Sequence, residues 1–134
     1  MASIGVLFIE DEVLLQQFAI AALSERGLKV FSAFNSTEAD AILRREKVDV
    51  IVCDILLPAE NGLSYIRRLR NEGNRTPVIF LSALADSEVV KLGMESGAAA
   101  YMIKPYDADQ LYTRILTVTG SERPAPPPRT PIKK

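Results

Sequence analysis

Short apolar runs recur along the chain at regular intervals: IGVLFI (4–9), LKVFSA (28–33), VDVIVC (48–53), PVIFL (77–81) and AAYMI (99–103). Those at 4–9, 77–81 and 99–103 are continuous rather than alternating, the pattern of parallel strands buried on both faces. Helical patterns of crossover length separate them. DEVLLQQFAIAALSERG (11–27) carries apolar residues at helical spacing and stops at Gly27, a C′ position. NSTEADAILRREK opens with Asn35 and Ser36 as cap candidates and Glu38 where a capping box can use it. GLSYIRRLRNEG sets Leu63, Ile66 and Leu69 on one face. DSEVVKLGMESG contains Gly93 and predicts a short, weakly determined helix, and DADQLYTRILTV groups Leu111, Ile115 and Val118.

Five β-α alternations predict an α/β fold: a five-stranded parallel sheet, doubly wound with helices on both faces. Five strands in a segment this short favour the order 2-1-3-4-5 of flavodoxin-like folds over the dinucleotide-binding order. The predicted domain covers residues 1–120. Residues 121–134, SERPAPPPRTPIKK, hold five prolines and are expected to form an extended, poorly ordered tail or linker.

Charge changes the picture modestly. The net charge of −1 divides into a tail with four basic residues and one acidic, and a body with twelve basic and sixteen acidic. An acidic body argues against direct contact with nucleic acid. The chain has no histidine and a single cysteine, Cys53, which excludes histidine-based catalysis, histidine metal ligands and an internal disulfide. The opening apolar run lacks a basic flank and is too short to be a signal peptide or membrane span, so a cytoplasmic protein without membrane contact is expected.

Candidate chemistry comes from where polar residues fall. In an open α/β sheet, ligands bind beyond the carboxyl ends of the strands, where strand order reverses. The residues just past the predicted strands are Glu10 and Asp11, Asp54, Ser82 and Lys104. Three carboxylates converging within about 5 Å repel by roughly 3 kcal/mol per pair at an effective dielectric near 20. One lysine neutralises one of them. The remaining donors are hard oxygens, which favour Mg²⁺, with Mn²⁺ as the alternative ion. Such a site can accept a phosphoryl group, with the carboxylate of Asp54 as nucleophile. Taken singly, each residue has a plainer reading: helix capping for the acidic pair, and loop or turn positions for Asp54, Ser82 and Lys104. Their convergence carries the inference.

The acidic pair ED (10–11), DILLP followed by Gly62 (54–62), SA (82–83) and GAAAYMIKP (97–105) resemble, in order and spacing, the receiver domain of bacterial two-component response regulators. The resemblance covers residues 4 to about 119. It implies that Asp54 accepts a phosphoryl group from a histidine kinase, a histidine phosphotransfer protein or a small phosphodonor. It implies a Mg²⁺ site of Glu10, Asp11, Asp54 and the backbone carbonyl of Leu56. Lys104, the Ser82 hydroxyl and the Ala83 backbone N–H would hold the phosphate oxygens, and Ser82 and Tyr101 would move on phosphorylation. The Lys104–Pro105 peptide is expected to be cis.

By the same resemblance, the phosphorylated form presents the last two helices and the fifth strand to a downstream protein, as a monomer or as a phosphorylation-dependent homodimer. Kinase docking is expected on the first helix, whose start at Val13, Leu14 and Leu15 offers more apolar surface than one buried face needs. Glu10 stands where many members have Asp. Leu56 and Leu84, two residues past Asp54 and Ser82, are apolar, which predicts slow self-dephosphorylation.

The opening Met1 and closing PIKK suggest a stand-alone receiver, with a receiver cut from a longer regulator or hybrid kinase as the alternative. An aspartyl-nucleophile phosphohydrolase is the enzyme alternative, but the general acid it needs two residues past the nucleophile is Leu56 here. A nucleotide- or flavin-binding module lacks its Gly-rich loop after the first strand.

Overall fold

The computed structural model describes residues 3–83 and 87–120. The elements run β1 (Gly5–Ile9), α1 (Val13–Glu25), β2 (Lys29–Ala33), α2 (Ser36–Arg45), β3 (Val50–Asp54), α3 (Gly62–Asn71), β4 (Val78–Ser82), α4 (Ser87–Glu95), β5 (Ala100–Ile103) and α5 (Ala108–Thr119). The strands form one parallel sheet in the order β2-β1-β3-β4-β5. The predicted tail, 121–134, and Leu84 lie outside the described residues.

Strand alternation divides the core into two layers. Leu7, Ile9, Ile51, Cys53 and Phe80 pack with Ala39 and Ile42 of α2 and with Tyr65, Ile66 and Leu69 of α3. Val6, Phe8, Val50, Val52, Ile79 and Leu81 pack on the other face with Ala19 and Leu23 of α1 and Leu111 and Ile115 of α5. The central strands β1, β3 and β4 are buried throughout. β5 departs from expectation: Tyr101 is half-buried and Ile103 exposed. Ala100 and Met102 pack into the core on one face, while Tyr101 and Ile103 point to the other face, which is covered only in part. In the VDVIVC run, Asp49 precedes β3 and accepts the Gly5 N–H at 2.7 Å, which closes the amino end of the sheet.

The helices are set by local chemistry. Asn35 caps α2 by accepting from Glu38 N–H at 2.9 Å. The Glu38 carboxylate reaches one residue further back than a capping box requires and takes the Phe34 N–H at 2.7 Å. α3 buries Tyr65 completely, a residue outside the predicted apolar face. Its hydroxyl donates to Asp40 at 2.9 Å, which satisfies the polar end of a buried ring. α4 buries only Gly93 among its residues, in line with the weak helix expected. α5 has a reciprocal box between Asp107 and Gln110, and Arg26, which caps the end of α1, ties to Asp109 at 2.6 Å.

Candidate functional site

Backbone pairing delivers each polar residue to the carboxyl edge of the sheet. Glu10 leaves β1 with its N–H still donating to Ala33 O at 3.0 Å. Asp54 and Ser82 are the last residues of β3 and β4 rather than the first beyond them. The pairing runs past both: Ile55 N–H donates to Leu81 O at 3.1 Å, and Lys104 N–H to Ser82 O at 2.8 Å. Their positions are therefore fixed by sheet register, with less freedom than loop residues have.

Glu10, Asp11 and Asp54 each offer a carboxylate oxygen to one cluster, all within 4.8 Å of one another. Glu10 is fully buried, Asp54 is 6% exposed and Asp11 faces solvent. Lys104 Nζ bridges the buried pair, at 2.8 Å from Glu10 Oε1 and 3.0 Å from Asp54 Oδ2. The other Asp54 oxygen accepts the Leu56 N–H at 3.2 Å, and Glu10 Oε2 accepts the Glu12 N–H at 3.2 Å. Glu10 thus serves the start of α1 and the cluster together.

Electrostatics follow from this crowding. Burial raises the Glu10 pKa; the Lys104 hydrogen bond opposes the rise and the Asp54 charge adds to it. Burial alone would lower Lys104, yet its bonds to Glu10 and Asp54 outweigh that and lift it above the ordinary lysine value. Burial, then the Glu10 charge, push the Tyr106 hydroxyl to about 12. Three carboxylates against one ammonium leave two negative charges. An all-oxygen donor set with that surplus fits a hard divalent cation.

The other expected residues take different places. Ser82 is buried and Ala83 exposed. Tyr101 packs against α4. Its ring lies 6.5 Å from that of Phe80, and a Cβ on Gly93 would come within 3.0 Å of it. The Lys104–Pro105 peptide is cis. Leu15, Phe18, Ala83, Lys104, Pro105 and Tyr106 line a mainly apolar cavity of about 360 Å³ beside the cluster.

Sequence reasoning missed Gln16 and the Glu60–Arg68 pair, and it named Gly62 only as part of the motif that ends the loop. Gln16, buried in α1, donates to Glu10 O at 3.1 Å and Ala33 O at 3.0 Å, which locks α1 to the strand ends. A polar residue inside an apolar helical run was the available signal. A Cβ on Gly62 would strike Asp54 O, so glycine there lets α3 begin directly against the site. Glu60, in the loop after Asp54, is gripped by Arg68, a pairing that spacing alone does not reveal.

Residues 6–116 match the family model described as the response regulator receiver domain. The chain belongs to this family. It is 36% identical over 111 residues to the transcriptional regulatory protein CrdR of Helicobacter pylori, covering 82% of this chain and 52% of that protein. It is 38% identical over 113 residues to CseB of Streptomyces coelicolor, covering 84% of this chain and 48% of that one. The chain thus spans about half the length of these curated relatives.

Among solved structures, the receiver domain of a Francisella response regulator superposes with a TM-score of 0.84 at 32% identity, covering 90% of this chain and all of that one. The receiver domain of a Pseudomonas aeruginosa sensor histidine kinase, with magnesium ion coordinated in its active site cleft, gives 0.80 at 28% identity over 90% of this chain and all of that one. Among the described residues of this receiver domain, no helix is long and apolar enough to cross a membrane.

Proposed function

We propose that this receiver domain is a phosphoacceptor whose nucleophile is Asp54. The observation that carries the reading is the Lys104 ammonium held between Glu10 and Asp54 while two negative charges stay uncompensated. Glu10, Asp11, Asp54 and the Leu56 carbonyl would hold Mg²⁺, which neutralises charge on a phosphoryl group as it transfers. An Asp54 carboxylate oxygen attacks phosphorus. The bond from phosphorus to the donor breaks, the donor keeps the electron pair, and an acyl phosphate forms on Asp54. Lys104 then pairs with a phosphate oxygen, and the Ser82 hydroxyl and Ala83 N–H donate to others.

The donor is a histidine kinase or histidine phosphotransfer protein, or a small phosphodonor in its place. α1 is proposed to dock that partner, because Val13, Leu14, Leu15 and Phe18 are all exposed and the last two line the cavity that reaches Lys104. Phosphorylation adds nearly two charges and three acceptor oxygens. The element that responds is α4, seated on Tyr101 through Gly93 and on the core through the partly buried Val89, with Gly93 its one buried residue among those described. The surface so altered is α4, β5 and α5, presented to an effector that is either a separate protein or a further domain of the same polypeptide.

Incubation with Mg²⁺ and acetyl phosphate followed by intact-mass measurement tests the reading. Wild-type protein gains one phosphoryl group and Asp54→Asn gains none. Equal labelling of the two, or no labelling of the wild type, overturns it.

A further inference from the structure

The loop from Ile55 to Asn61 begins at Asp54 and contributes Leu56 to the site, yet its own bonding is thin. Leu57 N–H and Gly62 N–H both donate to Ile55 O, at 3.1 and 2.7 Å, and Glu60 N–H donates to Pro58 O at 2.7 Å. That last bond closes a three-residue turn around Ala59, a non-glycine residue at φ 68°. Such a turn is rare and costs energy, so it persists only where surrounding contacts impose it.

The contacts that impose it meet at Glu60, which is bonded by the Ser36 side chain and gripped most strongly by Arg68. Its Nε and Nη2 grip both oxygens of Glu60 at 3.0 and 2.9 Å. The guanidinium is itself fixed from other sides: Nη2 to Asp40 of α2 at 3.1 Å, Nη1 to Glu72 at 3.3 Å, and Cζ over the Tyr65 ring, 5.0 Å from its centroid. Tyr65 is fully buried and bonded to the same Asp40. A rigid fork rooted in the α2–α3 interface therefore holds the far end of the phosphoacceptor loop. Two parallel bonds to one carboxylate fix orientation as well as distance.

The geometry points to Arg68 as a positioning residue for the phosphoacceptor site, acting through Glu60 to set the placement of Leu56 and hence the affinity for a divalent cation. This rests on the reading of Glu10, Asp11 and Asp54 as a Mg²⁺ and phosphoryl site. Arg68 touches none of those three. Its effect passes along a strained loop only a few residues long, as the partners that orient metal ligands act elsewhere.

Three variants test it in the full chain: Arg68→Gln, Arg68→Lys and Glu72→Ala. Mg²⁺ alone is titrated by calorimetry, and amide hydrogen exchange is followed at Leu57, Glu60 and Gly62 in metal-free buffer. Arg68→Gln is expected to weaken Mg²⁺ binding about tenfold, the low end for an outer partner, and to speed exchange at those amides. Labelling by acetyl phosphate then recovers toward the wild-type rate when Mg²⁺ is raised.

Arg68→Lys keeps the charge but not the fork. It is expected to restore urea stability while leaving Mg²⁺ binding weak, a split that a simple stabilising ion pair cannot produce. Glu72→Ala removes the outer, same-helix partner and is expected to leave the Mg²⁺ affinity at the wild-type value. Unchanged Mg²⁺ affinity and unchanged loop exchange in Arg68→Gln overturn the proposal. A wild type that binds no Mg²⁺ overturns the reading of the site and the metal half of this inference, while faster loop exchange in Arg68→Gln still upholds the clamp.

Discussion

Two clusters in this molecule have the same formal composition, three carboxylates and one cation. Glu10, Asp11 and Asp54 gather at the sheet edge with Lys104 between the first and last; Asp40, Glu60 and Glu72 surround Arg68 between the helices. In the second, the guanidinium reaches all three carboxylates and water reaches every member. In the first, a single ammonium reaches two carboxylates that are almost fully buried, and Asp11 has no ion pair among the described residues. Where charges sit, and whether the cation's donors match the number of acceptors, separate a structural brace from a site that still attracts a cation. The loop from Asp54 to Glu60 joins the two.

Removing each cation tests the contrast most severely. Lys104→Met should cost about 3 kcal/mol in metal-free urea unfolding, because it strands buried charge, with much of the loss regained on adding Mg²⁺. Arg68→Met should cost about 1 kcal/mol, since its partners remain hydrated. Equal losses would erase the distinction.

The loop between the clusters gives the next effect. Leu56 is 57% exposed beside Asp54, and its apolar side chain cannot hold a water for attack on an acyl phosphate. The wild type should keep its phosphoryl group for minutes or longer, and Leu56→Asn should shorten that lifetime about tenfold by positioning such a water. A wild-type half-life of seconds would contradict this.

Acidity separates the clusters by sign. The folded pKa of Glu10 is raised by burial above 4.5, so the folded state binds the extra proton. The stability it contributes is complete below pH 4.5 and is lost as pH climbs through the raised value. Glu60 is lowered below 4.5, first by its hydrogen bond to Arg68. Its contribution is present above that pH and disappears as pH falls through the lowered value. Urea midpoints of metal-free protein from about pH 3 to 7 should therefore respond oppositely to Glu10→Gln, which removes a loss on the alkaline side, and Glu60→Gln, which removes one on the acid side. The smallest effect is expected from Ala59→Gly: relief of the positive φ should add at most about 1 kcal/mol of stability, offset by the entropy of a freer unfolded chain.

Much of the architecture was legible. The apolar runs mark all five strands and their spacing gives the parallel order, because strands buried on both faces exclude polar residues. The residues at the run ends gave the cluster of Glu10, Asp11, Asp54 and Lys104. The exposure of β5 was not legible: the predicted order already put it at the edge, but AAYMI reads as buried on both faces, and only the packing of the helices leaves Ile103 uncovered. Nor was the burial of Tyr65, whose ring needs the Asp40 carboxylate from another helix to satisfy its hydroxyl. The box at Asp107 and Gln110 follows from spacing alone, since the two residues stand three apart at the start of an apolar helical pattern.

The sequence by itself determined the strands, the helices between them and the residue types that arrive at the carboxyl edge, because periodicity and burial act over a few neighbouring residues. Tertiary structure alone decided which carboxylates share a cation. Lys104 meets Glu10 and Asp54 across 94 and 50 residues of chain, and Arg68 meets Asp40 across 28. Such pairings depend on sheet order and helix packing, and charge interactions depend on final distance and burial, which no local pattern specifies.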